Sequence, residues 1–495
     1  MNGAEQRILS VRELTAACED LLRHGGRMQM AYGWFPQEGA PPELCYLASP
    51  AQGRFVLWRC RLQAGDEVPS LARISPLLGW YEREIHELCG VSFASHPEPH
   101  PLVLHEGAQA VLPPLDTRRA PQQALQFQPE PWRLPEVAGK DVQLLPFGPV
   151  RADVVESAQF VFVYIGEAIL HFHPRLFFKH RGMEQRFRGL SPMLGTVLAE
   201  RVSGVGSVAH GLAFCQALEA AAKCAVPPRA RWLRVLLAEM ERLYNHFHYL
   251  GHLCHTTTLK VGEAEGKWLE ERVKQLNARL TGSRFLSGLL CPGGLRRDLD
   301  PAGLSDALEA LRHEFAEYIE RLERTNSHVD RLMTTGVLSR QAAFDQGATG
   351  PVERASGLDR DLRRDHPYAA YADLPLMVAV RDAGDAHARM QVRASEIDAS
   401  FALIQRLLLL LPDGPVRADC RPLAKSEGLG WSESPRGSLY YAIHVDEHGR
   451  LERVKIKSPS FSNWRAFPLT VHDSNMMDYA INEASFGLTI AGCDR

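Results

Sequence analysis

Residues 227–255 read PPRARWLRVLLAEMERLYNHFHYLGHLCH, and this stretch decides the fold class. Proline suits the first turn of a helix, because a backbone N–H there has no intrahelical partner in any case. Apolar residues then recur at intervals of three and four, the spacing of one buried helical face. These residues are Trp232, Val235, Leu236, Met240, Leu243 and Phe247. The stretch therefore predicts a long amphipathic helix that packs against other helices.

Two further segments predict helices of the same kind. One begins at Ser305–Asp306, and the other runs from about Asp385 to Leu411 and stops at Pro412. The apolar face of the first consists of Leu308, Leu311, Phe315, Tyr318, Ile319 and Leu322. Alternating segments at residues 160–172 and 439–457 each surround a turn and predict two hairpins.

The rest of the chain predicts a small domain and a linker. Leu9–Leu22 has helical spacing, whereas segments near Met28–Tyr32 and Phe55–Leu62 alternate like strands. A region rich in proline and glutamine follows, in which no helical period survives. The predicted fold class is α+β, with a small domain at 1–107, a linker at 108–147, and a mainly helical bundle with peripheral hairpins at 148–495.

The composition is that of an ordinary globular protein. Of 495 residues, 45% are hydrophobic and 23% charged, and 56 Lys and Arg against 59 Asp and Glu give a net charge of −3. A near-neutral chain gives no electrostatic drive toward nucleic acid. No apolar run reaches bilayer length and the charged start excludes a signal peptide, so we expect a cytoplasmic protein that can dock on a membrane complex.

The cysteines and histidines form no established metal motif. The ten cysteines include no two within four residues of each other, which excludes CxxC pairs and ferredoxin-type runs and predicts buried thiols. His248, His252 and His255 share one helical face, where a metal site is open but polar packing is favoured because HExxH is absent. Neither GxxxxGK(S/T) nor GxGxxG after a strand is present, so no phosphate-binding loop is predicted.

An ordered series of motifs spans nearly the whole chain. In the first part it consists of residues 80–84 (WYERE), 88–91 (LCGV) and His96–Pro97. Further on it consists of residues 180–184 (HRGME), Glu241–Arg242, Asn245–His246, 292–294 (PGG), 349–351 (TGP), 434–437 (SPRG) and 457–461 (KSPSF). The series resembles the large subunits of nickel–iron hydrogenases and their relatives in respiratory complex I. It is most similar to the fused form of formate hydrogenlyase and hydrogenase-4-type proteins, in which the 30-kDa-like and quinone-site subunits form one chain.

The resemblance implies four metal-ligand positions, none of which is cysteine here. Hydrogenases of this kind bind nickel and iron through thiolates, the soft ligands that these metals require. The first pair of positions holds Ser203 and Gly206, and the second pair holds Thr489 and Gly492. Cys493 lies one residue beyond the last position, and a lone thiolate cannot hold the cluster. We therefore expect no bound metal and no hydrogenase activity of this chain's own.

The resemblance to complex I leaves quinone chemistry open. A histidine and a tyrosine of that family bind the quinone headgroup, and their positions here hold Arg151 and Pro192. The residues that do fall on motif positions of the cavity are Glu156, Arg201, His210, Asp385 and Arg436. The resemblance implies catalytic positions for Glu156, Arg436 and Asp385, with Glu156 at the proton-passing glutamate. It implies cofactor-binding positions for Arg151, Arg201 and His210, and the alternative for all of these is structural pairing across helix interfaces.

The implied function is that of a peripheral subunit of a membrane-bound oxidoreductase, of the NADH-quinone oxidoreductase or formate hydrogenlyase type. The expected partners are an iron–sulfur subunit, which carries the cluster, and membrane-embedded ion-translocating subunits, at the cytoplasmic face of the inner membrane. No cofactor of the chain's own is expected, and a quinone or another acceptor would receive electrons at a metal-free cavity. The alternative is a cofactor-free coupling subunit without redox chemistry, so whether the chain is itself an enzyme stays open. The sequence names neither donor, acceptor nor ion.

Overall fold

A computed structural model describes residues 1, 3–36, 38–63, 65–109, 112–119, 124–128, 132, 134, 136–137, 139–150 and 156–495. The fold class is α+β, as predicted. Arg151, one of the predicted cofactor-binding residues, lies outside the described residues. In the described part of the chain, no helix combines the length and the apolar character that crossing a bilayer requires.

The N-terminal region is a four-stranded sheet with helices beside it. Its elements are β1 (Glu5–Ile8), α1 (Leu14–Arg23), β2 (Arg27–Trp34), β3 (Glu43–Ser49), β4 (Val56–Arg61), β5 (Val68–Pro69), α2 (Gly79–Cys89) and β6 (Phe93–Ala94). The sheet order is β1-β4-β3-β2, in which β1 and β4 run parallel and the other pairs antiparallel. The predicted helix and both predicted strands are confirmed, whereas β1 and β3 were not anticipated from the sequence.

The proline-rich region contributes short strands. They are β7 (Ala108–Gln109), β8 (Gln126–Phe127) and β9 (Gln143–Phe147). β9 pairs antiparallel with the first strand of the next region, so that Phe147 lies opposite Phe160. The end of the predicted linker is therefore built into a sheet of the helical part.

The remaining elements form the bundle and its hairpins. The first set is β10 (Gln159–Ile165), β11 (Ala168–Arg175), α3 (Met183–Arg186), α4 (Pro192–Ala199), α5 (Ser207–Ala222), α6 (Pro228–Thr256), α7 (Lys260–Thr281), β12 (Leu290–Cys291), β13 (Gly294–Leu295) and α8 (Leu304–Arg324). The second set is α9 (Asn326–Leu332), α10 (Arg340–Asp345), α11 (Pro351–Ala355), α12 (Leu362–Asp365), α13 (Ala386–Leu410), β14 (Glu427–Ser434), β15 (Gly437–Val445), β16 (Leu451–Lys457), α14 (Pro459–Ala466), α15 (Tyr479–Phe486) and α16 (Ile490–Asp494).

The three long predicted helices are confirmed as α6, α8 and α13. Their apolar faces meet in one core, where Phe247 of α6 lies 5.5 Å from Phe315 of α8 and 6.4 Å from Phe401 of α13 between ring centroids. Such edge-to-face and tilted contacts add to the burial of large apolar surfaces. Both predicted hairpins are confirmed too, as β10–β11 and β15–β16, and the second gains an unpredicted third strand, β14.

Strand β14 packs backbone-to-backbone against helix α5. A Cβ atom added to Gly430 would lie 2.0 Å from the carbonyl oxygen of Ala213, and one on Gly428 would lie 1.9 Å from that of Ala217. Only glycine permits this approach, because any side chain would overlap the helix backbone. The contact fixes the end of β14 beside the start of α5, and these two ends form the candidate site.

A buried ionic cluster attaches the N-terminal region to the bundle. Glu84 of α2 accepts hydrogen bonds from Lys455 of β16 at 2.6 Å and from Arg495 at 2.9 Å. Glu184 of α3 joins the same cations and also pairs with Arg453 at 2.7 Å. Burial opposes ionisation of Glu184, but Lys455, Arg453 and Arg495 outweigh it and hold its pKa below the usual range. The motif glutamates at 84 and 184 thus connect the two parts of the chain.

Candidate functional site

The four positions that resemble hydrogenase metal ligands lie around one small cavity. Ser203 and Gly206 reach it from the turn before α5, and Thr489 and Gly492 from the start of α16. The volume of the cavity is about 20 Å³, which is room for about one water molecule. We call it the hydroxyl-lined cavity. The fold thus brings these four positions together, although the two pairs lie almost three hundred residues apart in the sequence.

The chemistry of this cavity is that of neutral hydroxyl groups. The Oγ1 atom of Thr489 lies 3.0 Å from the Oγ of Ser460, and the hydroxyl of Ser458 donates to the carbonyl of Gly492 at 2.5 Å. A Cβ added to Gly492 would lie 2.6 Å from the Thr489 hydroxyl and 3.7 Å from that of Ser203. A side chain at position 492 would therefore meet the Thr489 hydroxyl, and the Thr489 and Ser460 hydroxyls are already in contact with each other.

A nickel–iron cluster does not fit these residues. Two of the positions are glycine, which offers no ligand, and the other two offer neutral hydroxyls in place of soft, charged thiolates. Cys493 is buried but is not among the residues that line the cavity. Across the described ranges, no group of three or more His, Cys, Asp or Glu side chains is arranged to hold a metal ion.

Arg436 forms one wall of the hydroxyl-lined cavity. It lies in the turn between β14 and β15, where its Nε donates to the carbonyl of Gly487 at 2.8 Å and its Nη1 to Oδ1 of Asn245 at 2.6 Å. Burial, followed by the neighbouring cation of Arg393, lowers the pKa of Arg436 to about 10. The guanidinium still carries its charge at neutral pH, so it gives an otherwise neutral cavity one fixed positive charge.

His210 forms the opposite wall as a neutral side chain. It lies in the first turn of α5, and its Nδ1 is 2.8 Å from the hydroxyl of Tyr441 on β15. Burial, and secondarily Arg181, lower the pKa of His210 to about 3. The imidazole is therefore uncharged at neutral pH and is suited to hydrogen bonding rather than to pairing with an anion.

Glu156 lies beside α16, one step outside the cavity. Its two carboxylate oxygens accept from the backbone N–H groups of Ile490 and Ala491, at 2.5 and 2.9 Å. Lys179 lies 3.9 Å away, and the Glu156 side chain is 22% exposed. No salt bridge joins Glu156 to Arg436, although α16 brings both close to Thr489 and Gly492. The carboxylate thus lies between solvent and the lining residues of the cavity.

Two of the predicted site residues lie elsewhere. Asp385 caps the N-terminus of α13, where Oδ1 accepts from the N–H of Ala388 at 2.8 Å and Oδ2 from that of Thr334 at 2.9 Å. Arg201 is exposed and donates to the carbonyl of Val197 in the preceding turn at 2.9 Å. Neither lines the hydroxyl-lined cavity, and both have ordinary structural partners.

A buried ionic network lies behind the β14 end of the site. Glu396 of α13 accepts from Arg354 of α11 at 2.6 Å and from Arg242 of α6 at 3.2 Å, and it lies 2.8 Å from Nε2 of His246. Arg242 also donates to the carbonyl of Glu433 at 2.7 Å, the residue that precedes the site turn. Burial opposes ionisation of Glu396, but Arg354 and His246 outweigh it and hold its pKa well below the usual range.

The histidines of the α6 surface are matched by carboxylates of α7. His248 lies 3.1 Å from Glu270, and His255 lies 3.0 Å from Glu263. The three rings of His248, His252 and His255 lie nearly parallel at centroid distances of 6.2 and 6.1 Å. The structure therefore shows three solvent-exposed histidines, two of which lie beside carboxylates of α7, and this agrees with the polar-packing alternative.

Sequence reasoning missed several residues that build the site. Ser458 and Ser460 were recognised only as part of a motif, and Tyr441 was not singled out. Asn245 was also part of a motif, and the structure shows that it holds Arg436. The signal in the sequence was the clustering of Ser, Thr and Gly in each motif beside a cavity-forming turn. The clustering alone does not show which of these hydroxyl groups lie opposite one another in the folded chain.

The comparisons with known proteins agree with this geometry. Family models match for the respiratory-chain NADH dehydrogenase 30 Kd subunit at residues 24–120, for nickel-dependent hydrogenase at 181–267, and for the respiratory-chain NADH dehydrogenase 49 Kd subunit at 269–427 and 421–495. The order of these matches along the chain is the order that the motifs predict.

Curated relatives come from the same groups. The chain is 30% identical over 424 residues to formate hydrogenlyase subunit 5 of Escherichia coli (strain K12), covering 83% of this chain and 74% of the relative. It is 32% identical over 342 residues to the carbon monoxide-induced hydrogenase of Rhodospirillum rubrum, covering 68% and 94%. It is 29% identical over 481 residues to the C/D subunit of NADH-quinone oxidoreductase from Gluconacetobacter diazotrophicus, covering 86% and 79%.

The chain therefore belongs to the family that comprises the large subunits of nickel-dependent hydrogenases and the corresponding subunits of respiratory complex I. A chain in the structure of the membrane-bound sulfane sulfur reductase, an archaeal respiratory membrane complex, shares the fold with a TM-score of 0.68. That match covers 73% of this chain and 100% of the other, at 24% identity. At the four positions that resemble metal ligands, this chain carries Ser203, Gly206, Thr489 and Gly492 and no cysteine.

The ionic network predicts a specific loss of stability. Replacing Glu396 with Gln should lower the free energy of unfolding by about 3–5 kcal/mol, because it removes a buried carboxylate that Arg354 and Arg242 share. Their remaining carboxylates, Glu433 and Asp361 for Arg354 and Glu239 for Arg242, already have these and other cations as partners. The pKa of Glu396 is lowered by folding, so its contribution is full above the unfolded-state pKa of about 4.3 and is lost as the pH falls below it. Chemical denaturation at pH 7 and at lower pH measures both effects.

The matched control is Glu320→Gln on α8. Its carboxylate is 55% exposed and, among the residues that the structure describes, pairs only with Arg324, so the loss should stay within about 0.5 kcal/mol. Equal losses for the two variants would contradict a special role for the buried network.

Proposed function

We propose that this chain is a peripheral subunit of a membrane-bound, complex I-like oxidoreductase related to energy-converting hydrogenases, at the cytoplasmic face of the inner membrane. The observation that carries the proposal is the hydroxyl-lined cavity, which keeps the position of the hydrogenase site without its ligands. Named relatives that share most of this chain's length are components of formate hydrogenlyase and NADH-quinone oxidoreductase. The iron–sulfur cluster that delivers electrons would belong to a partner subunit, and ion translocation to membrane-embedded partners.

The acceptor would bind at the face between this chain and its partner. The hydroxyl-lined cavity alone admits about one water molecule, so a quinone ring cannot enter it. Gly206 lines the cavity, and the next residue, Ser207, donates to the carbonyl of Phe285 at 2.6 Å. The Phe285 side chain is 44% exposed. An exposed aromatic ring beside the cavity supports a contact with a partner subunit or an apolar acceptor there.

Helix α4 supports the same docking face. Met193 is 37% exposed and Leu194 58% exposed on this helix, which packs on α5, the helix that carries His210. Exposed apolar side chains that cluster on one face mark interaction sites more often than isolated ones do. In the proposal, this face contacts the iron–sulfur subunit, and the partner's cluster faces Arg436 and His210.

Arg436 and Glu156 would then act on protons and charge. The fixed positive charge of Arg436 favours a negative charge that develops on an acceptor close to the cavity. Glu156 lies between solvent and the cavity residues Thr489 and Gly492, a position from which a carboxylate can pass a proton inward. The proposed function does not use a metal ion bound by this chain, because the residues that line the cavity do not fit a nickel–iron cluster.

The second candidate function is a coupling subunit without redox chemistry. The closed cavity favours it, since a site that holds only about one water molecule offers no room for a substrate unless a partner reshapes it. In that case the ionic network and the cavity would transmit a conformational change between modules. Electron transfer to an acceptor distinguishes the two functions.

The first test is purification of the intact complex from its native membrane. We expect mass spectrometry to find an iron–sulfur subunit and at least one membrane-embedded subunit in stoichiometric amounts with this chain. Electron paramagnetic resonance of the complex should show a cluster that becomes reoxidised when a quinone is added. A cluster that stays reduced with every acceptor would favour the coupling subunit, and isolation as a stable monomer would contradict both functions.

The second test concerns Glu156. Glu156→Gln keeps the shape of the side chain and one accepting oxygen for the α16 backbone, but it cannot release a proton. We expect normal assembly and a rate of acceptor reduction that falls about tenfold or more, as for loss of a general acid or base. Glu167→Gln, an exposed glutamate in the turn between β10 and β11, serves as the control and should not change the rate.

Two other outcomes for Glu156→Gln are informative. Failed assembly would show that the carboxylate serves to hold α16 rather than to move protons. Assembly with the parental rate would mean that its match to the motif is incidental.

A further inference from the structure

A second, larger cavity lies between the N-terminal sheet and the bundle. Its volume is about 420 Å³, within the size range of small-molecule sites. One wall consists of β2 and the turn after β3, and the other of residues 349–366 with parts of β14 and β15. It shares no lining residue with the hydroxyl-lined cavity. We call it the interdomain cavity.

Arg27 of β2 enters the interdomain cavity with an unused donor. The residue is 3% exposed, and its Nη1 donates to Oε1 of Glu353 at 3.0 Å and to the carbonyl of Ala348 at 3.2 Å. Its buried Nε has no hydrogen-bond partner among the residues that the structure describes. This N–H group is therefore a donor that the described residues leave unused, and the Nε groups of Arg181, Arg234, Arg354 and Arg495 are in the same state.

Arg360 places a second guanidinium beside the first. The guanidinium carbons of Arg27 and Arg360 lie 5.9 and 5.3 Å from the ring centroid of Phe344. The Arg360 side chain makes no hydrogen bond to any residue in the described ranges, and its only carboxylate within 4 Å there is Glu353, at 3.9 Å from Nε. Burial and the charge of Arg27 lower the pKa of Arg360 to about 10, as expected for two cations that share one carboxylate.

Lys457 adds to the positive charge at this end of the cavity. Its Nζ donates to the carbonyl and hydroxyl oxygens of Ser438, a lining residue, at 2.9 and 2.7 Å. Burial, and next the charge of Arg27, lower the pKa of Lys457 to about 7. A bound anion would relieve the repulsion between these cations.

The carboxylates of the interdomain cavity are already matched by cations. The pairs are Glu353 with Arg27, Glu433 and Asp361 with Arg354, Asp361 also with Arg363, and Asp359 and Asp365 with Arg364. Arg354 and Arg363 lie behind the wall rather than in it. Of the lining guanidiniums, Arg360 is therefore the one that lacks a hydrogen-bonded acceptor within the described part of the chain.

We propose that the interdomain cavity binds a small oxyanion, a phosphate or carboxylate group, between Arg27 and Arg360. Planar guanidiniums suit such ligands because each can donate two parallel N–H bonds to two oxygens. The unpaired fork of Arg360 supplies the donors, and the guanidinium of Arg27 adds a second positive charge to the lining. Since the cavity lies between the two parts of the chain, the bound anion would also join them.

Calorimetric titration of the full-length chain, or of the intact complex, tests the site with inorganic phosphate and with succinate as separate probes at pH 7. We expect saturable binding of at least one probe. Arg360→Gln should weaken that binding about tenfold or more, because it removes a charged bidentate donor. Arg324→Gln, which makes the same change of charge on the exposed surface of α8, is the control and should bind like the parent.

Three results would overturn the proposal. They are the absence of binding for both probes, unchanged affinity in Arg360→Gln, and equal weakening in Arg324→Gln. Arg360→Gln should fold normally, since no hydrogen bond is lost. If it does not, Arg360→Lys decides: the site predicts weaker binding, because lysine keeps the charge but not the planar fork, and unchanged affinity contradicts it.

Discussion

The structure depends on a carboxylate that is held among cations in its core. Glu396 accepts hydrogen bonds from the cations Arg354 and Arg242, and it lies 2.8 Å from His246, whose pKa burial lowers to about 4, so that this imidazole is neutral at pH 7. Through these partners it connects α13 to α11, α6 and the end of β14. Taking such charges out of water costs several kcal/mol per ion, so the network is not a simple gain in stability. Its consequence is geometric, because its hydrogen bonds hold α13, α11, α6 and the end of β14 in one arrangement. That arrangement places the turn of Arg436 opposite the start of α16.

The four positions that resemble metal ligands surround one cavity, but the residues there lack the thiolates that nickel and iron require. The turns that carry Ser203, Gly206, Thr489 and Gly492 still converge, and Ser458 and Ser460 complete the lining with further hydroxyls. Gly206 and Gly492 have no side chains, and the hydroxyls of Ser458, Ser460 and Thr489 make hydrogen bonds around the cavity. What remains is one fixed charge, one neutral imidazole and room for about one water molecule. Such a site can influence electrons and protons that arrive from a partner, but it cannot hold a nickel–iron cluster.

The elements that could be predicted from the sequence are those whose apolar residues recur at helical or strand spacing, because one face of the element is buried. Helix α6 begins at Pro228, and α13 ends just before Pro412, because proline and apolar spacing act locally. Strand β14 was missed because Gly428 and Gly430 give it a weak strand pattern, and the contact with α5 that explains them is not local. Asp385 and Arg201 fall on motif positions, yet the first caps a helix and the second faces solvent. A residue at a motif position can have a structural or a chemical role, and the motif alone does not distinguish these roles. The contacts of the side chain are needed to do so.

The residues at the four ligand-like positions do not fit a nickel–iron cluster, and the nickel content of the intact complex tests this conclusion most directly. Elemental analysis of the complex purified from its native membrane should detect iron from the partner's clusters, which confirms that the preparation retains its metals. It should detect no stoichiometric nickel. About one nickel per chain, retained after exhaustive dialysis against a chelator, would contradict this conclusion. It would show that the chain binds nickel at a hydrogenase-type centre.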